Sequence, residues 1–444
     1  MTRPNILLMI ADDHRFSAIN RLGMEKVATP TFDQMMADGA TFTQAHIMGS
    51  TSGAVCMPSR GMLMSGRNLF ATPDPLPKDI PLLPELLWQH GYTTFSTGKW
   101  HNRRDSFARC FSASGRTFFG GMSDQYAVPV HDFDPAGVYD PQSAYIADGF
   151  STTLFTDDII DFLNAHQPDD DPFFAYVAFT SPHDPRTPPA PYDSMYQPDE
   201  IELPPNFMAE HPFELGVRDI RDEVLADYPR TETAIRGHIA DYYGMISHMD
   251  AEIGRILATL DDKNLSDNTL VIYTSDHGLG VGQHGLMGKQ NLYDHSMRIP
   301  LIMRGPGIPV GQQADALVYL FDLFPTLCER AGIPLPESNE GHSLNALLSG
   351  LTTRHRRSIF SAYQGVFGHP QGRPYQRSVK DGRYKLIQSV LHGKAIWQLF
   401  DLQEDPSEIV NLVAEPSCGD VVQRLRQDLH GWQHLVHDPI REAV

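Results

Sequence analysis

Asn5-Ile6-Leu7-Leu8-Met9-Ile10 is a continuous apolar run that breaks at Asp12-Asp13-His14. An alternating pattern would mark a strand with one wet face; an unbroken run marks a strand covered on both faces. The same punctuation recurs along the chain. Residues 92–96 read as a strand running into Gly98-Lys99-Trp100-His101. Residues 173–179 read as a buried strand ending at Ser181-Pro182-His183, and Thr269-Leu270-Val271-Ile272-Tyr273 as one ending at Asp276-His277-Gly278. Helices are expected over residues 31–38, stopped by Gly39, over 84–90, closed by Gly91, and over the long amphipathic stretch 232–260. Apolar strand, polar residues at its C-terminal end, then helix: that order predicts an open α/β sheet with its site along the carboxyl edge.

Around this frame, residues 102–170 and 185–231 are rich in Pro, Gly and aromatics with weak periodicity. They read as long irregular insertions over the sheet that shape access to the site. Beyond about residue 355 the texture changes. Residues 358–362, 377–388 and 397–402 read as short strands and 421–436 as a terminal helix. The expected organisation is a catalytic domain over 1–355 and a small α+β subdomain over 356–444, with a small antiparallel sheet.

The 444 residues suffice for this, and 41% hydrophobic with 20% charged residues describes an ordinary globular protein with a sizeable core. The formal net charge of −20 disfavours nucleic acid and anionic membranes as partners. An anionic substrate would be repelled at long range, so a site for one must concentrate Lys, Arg or metal locally. Cys56, Cys110, Cys328 and Cys418 are too widely spaced for a zinc motif or a disulfide framework. Buried free thiols account for Cys110, Cys328 and Cys418. No signal-peptide pattern precedes the first strand and no apolar run reaches transmembrane length, so a cytoplasmic location is expected, or a periplasmic or secreted one if a leader was trimmed.

Two adjacent carboxylates at a buried strand end repel each other and are costly to desolvate. A divalent cation removes both problems, although for Asp12-Asp13 alone a helix cap plus a solvated turn residue is the competing reading. Asp276-His277 repeats the arrangement at a second strand end. The expected site gathers Asp12, Asp13, Asp276 and His277 around one cation. Hard oxygen ligands favour calcium or magnesium, and a His ligand leaves manganese open. Lys99, His101, His183 and Lys289 are cations or proton carriers that could offset the net charge and hold a tetrahedral oxyanion. If extended, Gly98-Lys99-Trp100-His101 puts Lys99 and His101 on one side. A mere surface charge is the plain alternative for Lys99, and a satisfied structural role for His101. Lys289 lies in Gly285-Leu286-Met287-Gly288-Lys289, a flexible stretch able to approach a ligand closely.

The remaining signal is Cys56-Met57-Pro58-Ser59-Arg60, followed by Ser65-Gly66-Arg67. It resembles the maturation motif of the type I sulfatases, formylglycine-dependent enzymes of the alkaline phosphatase superfamily. Asp12-Asp13, Gly98-Lys99-Trp100-His101, Ser181-Pro182-His183, Asp276-His277-Gly278 with Gly285 and Lys289, and Arg298-Ile299-Pro300-Leu301-Ile302 are similar to that family in the same order. So are Leu399-Phe400-Asp401-Leu402, Asp405-Pro406 and Asn411-Leu412 near the C-terminus. The resemblance implies a large central mixed sheet flanked by helices. It implies that a maturation enzyme oxidises Cys56 to formylglycine, whose hydrate faces the cation and attacks sulfur. The second hydroxyl then loses its proton, the aldehyde re-forms and sulfate leaves. By the same resemblance Arg60 stabilises the diol, Lys99 binds it and the sulfate, and His101 is the base of the second step. His183 and Lys289 contact sulfate oxygens and assist the leaving oxygen. His277 departs from the Asn that many members carry.

The expected activity is therefore hydrolysis of sulfate monoesters, with a sulfated carbohydrate as the expected substrate. The related phosphonate monoester hydrolases and phosphodiesterases are the alternative; Asp13, Lys99 and His101 favour sulfate. A noncatalytic metal-binding protein is the alternative of a different class. Trp100, Phe118, Phe119, Tyr126, His131, Asp132 and Arg186 could line a sugar subsite or simply pack.

Overall fold

The computed structural model describes residues 3–365 and 373–440. An eight-stranded sheet runs through its centre in the order Gln312–Ala314, Ala40–Phe42, Leu301–Arg304, Thr269–Ser275, Asn5–Ala11, Phe173–Ala178, Thr93–Lys99, Ala113–Phe118. Leu301–Arg304 runs against both neighbours while the other pairs are parallel, so the sheet is mixed.

The unbroken apolar run has its cause here. Ile6, Leu8 and Ile10 enter one core with Phe174, Leu270 and Ile272. Leu7, Met9 and Ala11 enter the opposite core with Val271, Tyr273 and the buried stripe Ile235, Ile239, Ile246, Ile253 and Leu260 of helix Glu232–Asp262. With apolar burial giving about 1.5–3 kcal/mol per large aliphatic side chain, this strand anchors both layers. Parallel neighbours also align their carboxyl ends, so the residues after Ala11, Lys99, Ala178 and Ser275 emerge on one edge.

A second sheet has five strands in the order Lys394–Asp401, Tyr384–Leu391, Tyr375–Lys380, Ile359–Gln364, Gly49–Ser50. Its last strand comes from the N-terminal part of the chain, just before Cys56. Gly49 pairs with Ala362 at φ 93°, and a Cβ there would lie 2.1 Å from the Ala362 carbonyl oxygen. Helix Gly419–Leu435 packs Leu425, Leu429 and Trp432 against this sheet.

Two expectations need correction. Residues 102–170 are not irregular throughout. They contain the edge strand Ala113–Phe118 and the 15-residue helix Ser151–Ala165. The helix buries Phe155, Ile159 and Leu163 at a spacing of four, a regular signal hidden among polar neighbours. The strand is half-exposed along most of its length and carries little apolar pattern. Residues 377–388 are not one strand but parts of two, Tyr375–Lys380 and Tyr384–Leu391, which turn back at Asp381-Gly382-Arg383.

Candidate active site

Five backbone segments, with the loop that carries Lys289 as a sixth, deliver the side chains. Asp12 and Asp13 follow strand Asn5–Ala11, and Asp276 and His277 follow strand Thr269–Ser275. Lys99 ends strand Thr93–Lys99, and His183 lies past strand Phe173–Ala178. Cys56 opens the ten-residue helix Cys56–Ser65, whose end is capped by Gly66 in the left-handed region. The helix N-terminus directs partial positive charge at residue 56. Asp13 itself has φ 76° and His101 φ 51°, a costly backbone for residues with a Cβ.

These segments bring the expected residues together in a site shut off from bulk solvent. Asp12, Asp13, Asp276, His277, Arg60, Lys99, His183, Lys289 and Cys56 are all buried. The Cys56 sulfur lies 3.0 Å from His277 Nε2. His277 Nδ1 lies 3.1 Å from Asp13 Oδ1, and its Nε2 3.5 Å from Asp276 Oδ1. Arg60 donates through Nε to Asp276 Oδ2 at 2.8 Å and through Nη1 to the Lys99 carbonyl at 2.8 Å. Lys99 is paired with Asp12 and donates to the Gly121 carbonyl at 2.5 Å. Lys289 Nζ donates to Asp13 Oδ1 at 2.7 Å, and His183 Nε2 lies 3.9 Å from Asp13 Oδ2. Charge at Cys56 also raises the proton affinity of His101 and His183.

Electrostatics follow from this packing. Burial alone would raise the Cys56 thiol, but Lys289, Lys99 and His277 hold it well below its ordinary value. Negative charge at residue 56 is therefore favoured. Asp276 is pushed up to about 6, by burial first and then by Asp12. Burial pulls His277 down, yet Asp276 and Cys56 carry it up to about 9. Burial pulls His183 down most, but Asp13, Asp12 and Cys56 together carry it up to about 9. His101 goes the other way, lowered by burial and by Lys99.

The donor set fits a hard divalent cation. Among the described residues, Asp12, Asp13, Cys56 and His277 offer ligand atoms within 4.8 Å of one another. Asp12 Oδ1 is buried with no hydrogen-bond partner among the described residues. Asp276 lies outside that group of four but beside it, its Oδ1 3.5 Å from His277 Nε2 and 3.4 Å from the Asp13 amide while Arg60 holds its other oxygen. An orphaned buried carboxylate oxygen beside two more carboxylates is what a cation-free reading leaves unexplained.

Some residues behave differently from expectation. Lys99 and His101 do not alternate along one strand, since the strand ends at Lys99 and His101 bends away with positive φ. The stretch 285–289 is buried and hydrogen-bonded rather than flexible. Trp100 packs edge-on against Phe107, Phe111 and Tyr176, and Phe118 and His131 are also buried, so these three do not line an open subsite. Tyr126 is 49% exposed. Sequence reasoning missed Ser59, which donates to the Asp276 carbonyl at 2.6 Å, and Tyr176, whose hydroxyl accepts from Arg60 at 3.3 Å. It also missed Asp184, whose carboxylate lies 3.3 Å from His183 Nδ1. Ser59, inside the Cys56–Arg60 motif, and Asp184, next to His183 in the chain, carried a readable signal; Tyr176 did not.

With this geometry in hand, comparison with known proteins is informative. The family described as Sulfatase matches residues 4–333, and that described as N-sulphoglucosamine sulphohydrolase, C-terminal, matches residues 282–434. The chain is similar to an ulvan-active sulfatase of Formosa agariphila, 27% identical across 94% of this chain and 78% of that one. It is also similar to an N-acetylglucosamine-6-O-sulfatase of Bacteroides thetaiotaomicron, 25% identical across 98% of this chain and 87% of that one. The solved structure of a phosphonate monoester hydrolase of Agrobacterium radiobacter superposes with a TM-score of 0.75 at 23% identity, covering 98% of this chain and 96% of that one. That last likeness is one of fold. No helix among the described residues is long and apolar enough to cross a membrane.

Proposed function

The chain belongs to the sulfatase family, and on that premise we propose that it hydrolyses sulfate monoesters to inorganic sulfate and an alcohol. The observation that carries this reading is Cys56 itself. It begins a buried helix, inside Cys-Met-Pro-Ser-Arg, at a point where Lys99, Lys289 and His277 favour negative charge. A formylglycine at this position supplies, on hydration, a geminal diol with one oxygen to attack sulfur and a second to shed its proton. A divalent cation on Asp12, Asp13, Asp276 and His277 supplies Lewis acidity that lowers the cost of ionising that diol; the oxygen-rich donors favour calcium.

The chain's own groups do the rest. Arg60 holds Asp276 and the Lys99 backbone, which fixes the floor of the site. Lys99 and Lys289 bind the sulfate oxygens as fixed charges in a dry pocket, where they act most strongly. His101, lowered by burial and Lys99, is neutral at neutral pH and can accept the proton of the second step. His183, with Nδ1 held by the Asp184 carbonyl and carboxylate and Nε2 facing Asp13, is placed to donate to the leaving oxygen. We take residues 1–355 as the catalytic part and 356–444 as a supporting subdomain. The substrate we favour is a sulfated carbohydrate, since the relatives include an ulvan-active and an N-acetylglucosamine-6-O-sulfatase.

The test compares aryl sulfates and a sulfated glycan panel with phosphonate monoesters and phosphodiesters, on protein whose residue 56 has been checked by peptide mass spectrometry. A larger kcat/KM on the phosphorus esters would sink the sulfatase reading. Chelation should abolish turnover and calcium should restore it.

A further inference from the structure

We infer that Arg221-Asp222-Glu223 is a clamp that sets the placement of His183 relative to Lys289, making these three positioning residues for the reaction. The inference rests on the roles proposed above for those two side chains. His183 and Lys289 come from different loops, and each reaches Asp13 rather than the other. Asp13 bonds Lys289, but at 3.9 Å it does not hydrogen-bond His183, so it does not by itself fix the loop that carries His183.

Arg221 ties the first loop. Its guanidinium bonds both oxygens of Asp184 and one oxygen of Asp222. Asp184 Oδ1 in turn lies 3.3 Å from His183 Nδ1, and the Asp184 carbonyl lies 2.7 Å from the same nitrogen. That directs Nε2 toward the reaction centre. Asp222 and Glu223 tie the second loop. Asp222 Oδ2 accepts from Gln290 Nε2 at 2.7 Å, and Gln290 Oε1 accepts from the Lys289 amide at 3.0 Å. Glu223 accepts from the backbone amides of Met287 and Gly288, each at 3.0 Å. Glu223 is itself held by Arg230 at 2.6 Å, and Arg230 Nε donates to the Gly285 carbonyl at 3.2 Å.

The close approach has a steric signature. A Cβ on Gly288 would lie 2.6 Å from Gln290 Oε1 and 2.8 Å from the Asp222 Cβ. The loop bearing Lys289 is thus shaped to receive residues 222–223. Glu223 and Arg230 are both buried, so neither is a solvated surface pair. Buried ion pairs contribute little net stability against apolar residues of the same volume, but they fix geometry when every member is bonded. Arg221 is 42% exposed in its side chain and so can be changed without opening the core.

The experiment joins a double-mutant cycle with hydrogen exchange on the full chain. Arg221→Ala should lower kcat about 10–100-fold with little change in KM, the scale of a small misplacement of a reacting group. In a His183→Ala background the same change should cost less than about 3-fold, because the partner it positions is gone. Arg221→Lys should restore only part of the activity, since one ammonium cannot hold both carboxylates. Glu223→Gln should speed exchange at the Met287 and Gly288 amides by roughly tenfold or more, with strand Thr269–Ser275 unchanged. Independent, multiplying losses for Arg221 and His183, or unaltered exchange in Glu223→Gln, would each overturn the clamp. A wild type inert on every sulfate ester would instead count against the function proposed above. The exchange arm would then decide the clamp alone.

Discussion

At position 60 a guanidinium does what an ammonium cannot. Arg60 is fully buried and spans two fixed acceptors, the Asp276 carboxylate and the Lys99 carbonyl, with a planar fork. Arg60→Lys keeps the charge but can serve only one of them. The other is left buried and unpaired, at a cost of about 2–4 kcal/mol. Because Asp276 and Lys99 both move with that loss, kcat/KM should fall about 100-fold or more. Urea denaturation and steady-state kinetics on the variant check both figures; wild-type values in either would contradict this account. The motif made Arg60 visible in the sequence. Its partners were not visible, because they lie 39 and 216 positions away.

At the scale of single elements, Gly98 is the hinge on which Lys99 turns. The strand Thr93–Lys99 shifts register against Ala113–Phe118 between Ser96 and Gly98. Gly98 has φ 89°, and a Cβ there would lie 2.0 Å from the Ala178 carbonyl oxygen. Gly98→Ala must therefore push apart two central strands in a conformation that L residues avoid, and should destabilise the protein by about 3 kcal/mol or more. The denaturant midpoint should drop accordingly; no drop would show that the strands can separate freely. The strand's existence was legible from Thr93 to Ser96, but its last residues were not. Gly98 carries no side chain to signal a strand, and only the neighbouring backbone explains why it must be glycine. The helix Ser151–Ala165 shows the opposite failure, a readable period passed over amid a polar, proline-rich stretch.

For the molecule as a whole, buried neutral histidines set its response to acid. His46 is lowered to about 3, by burial and then by Lys380. His284 is lowered to about 4 by burial, with its ring stacked on Tyr293 and Nε2 bonded to the Glu408 carbonyl. Both have folded values below the unfolded value near 6.5, so the unfolded chain binds more protons through this window. Their contribution is fully present above about pH 6.5 and is lost as pH falls toward 4, at roughly one to three kcal/mol each. Urea midpoints at pH 7.5, 5.5 and 4.5 should fall in that order, and His284→Gln should flatten the slope. An unchanged slope in that variant would remove His284 from the explanation. Both residues join distant parts of the chain. His46 meets Lys380 of the second sheet, and His284 meets Glu408.

The chain's local chemistry was settled by its sequence. Unbroken apolar runs demand strands buried on both faces, and carboxylates placed at their ends demand compensation. The Cys-Met-Pro-Ser-Arg pentapeptide marks the helix start that faces the buried carboxylates. Tertiary structure alone decided which charges meet, since Lys99 pairs with Asp12 and Lys289 with Asp13 across 87 and 276 residues. It alone brought Gly49–Ser50 into the C-terminal sheet and Arg221-Asp222-Glu223 between two loops of the site. Local patterns encode which face of an element is apolar. They do not encode which buried polar group will find which partner, because that depends on where the closed chain leaves each one without water.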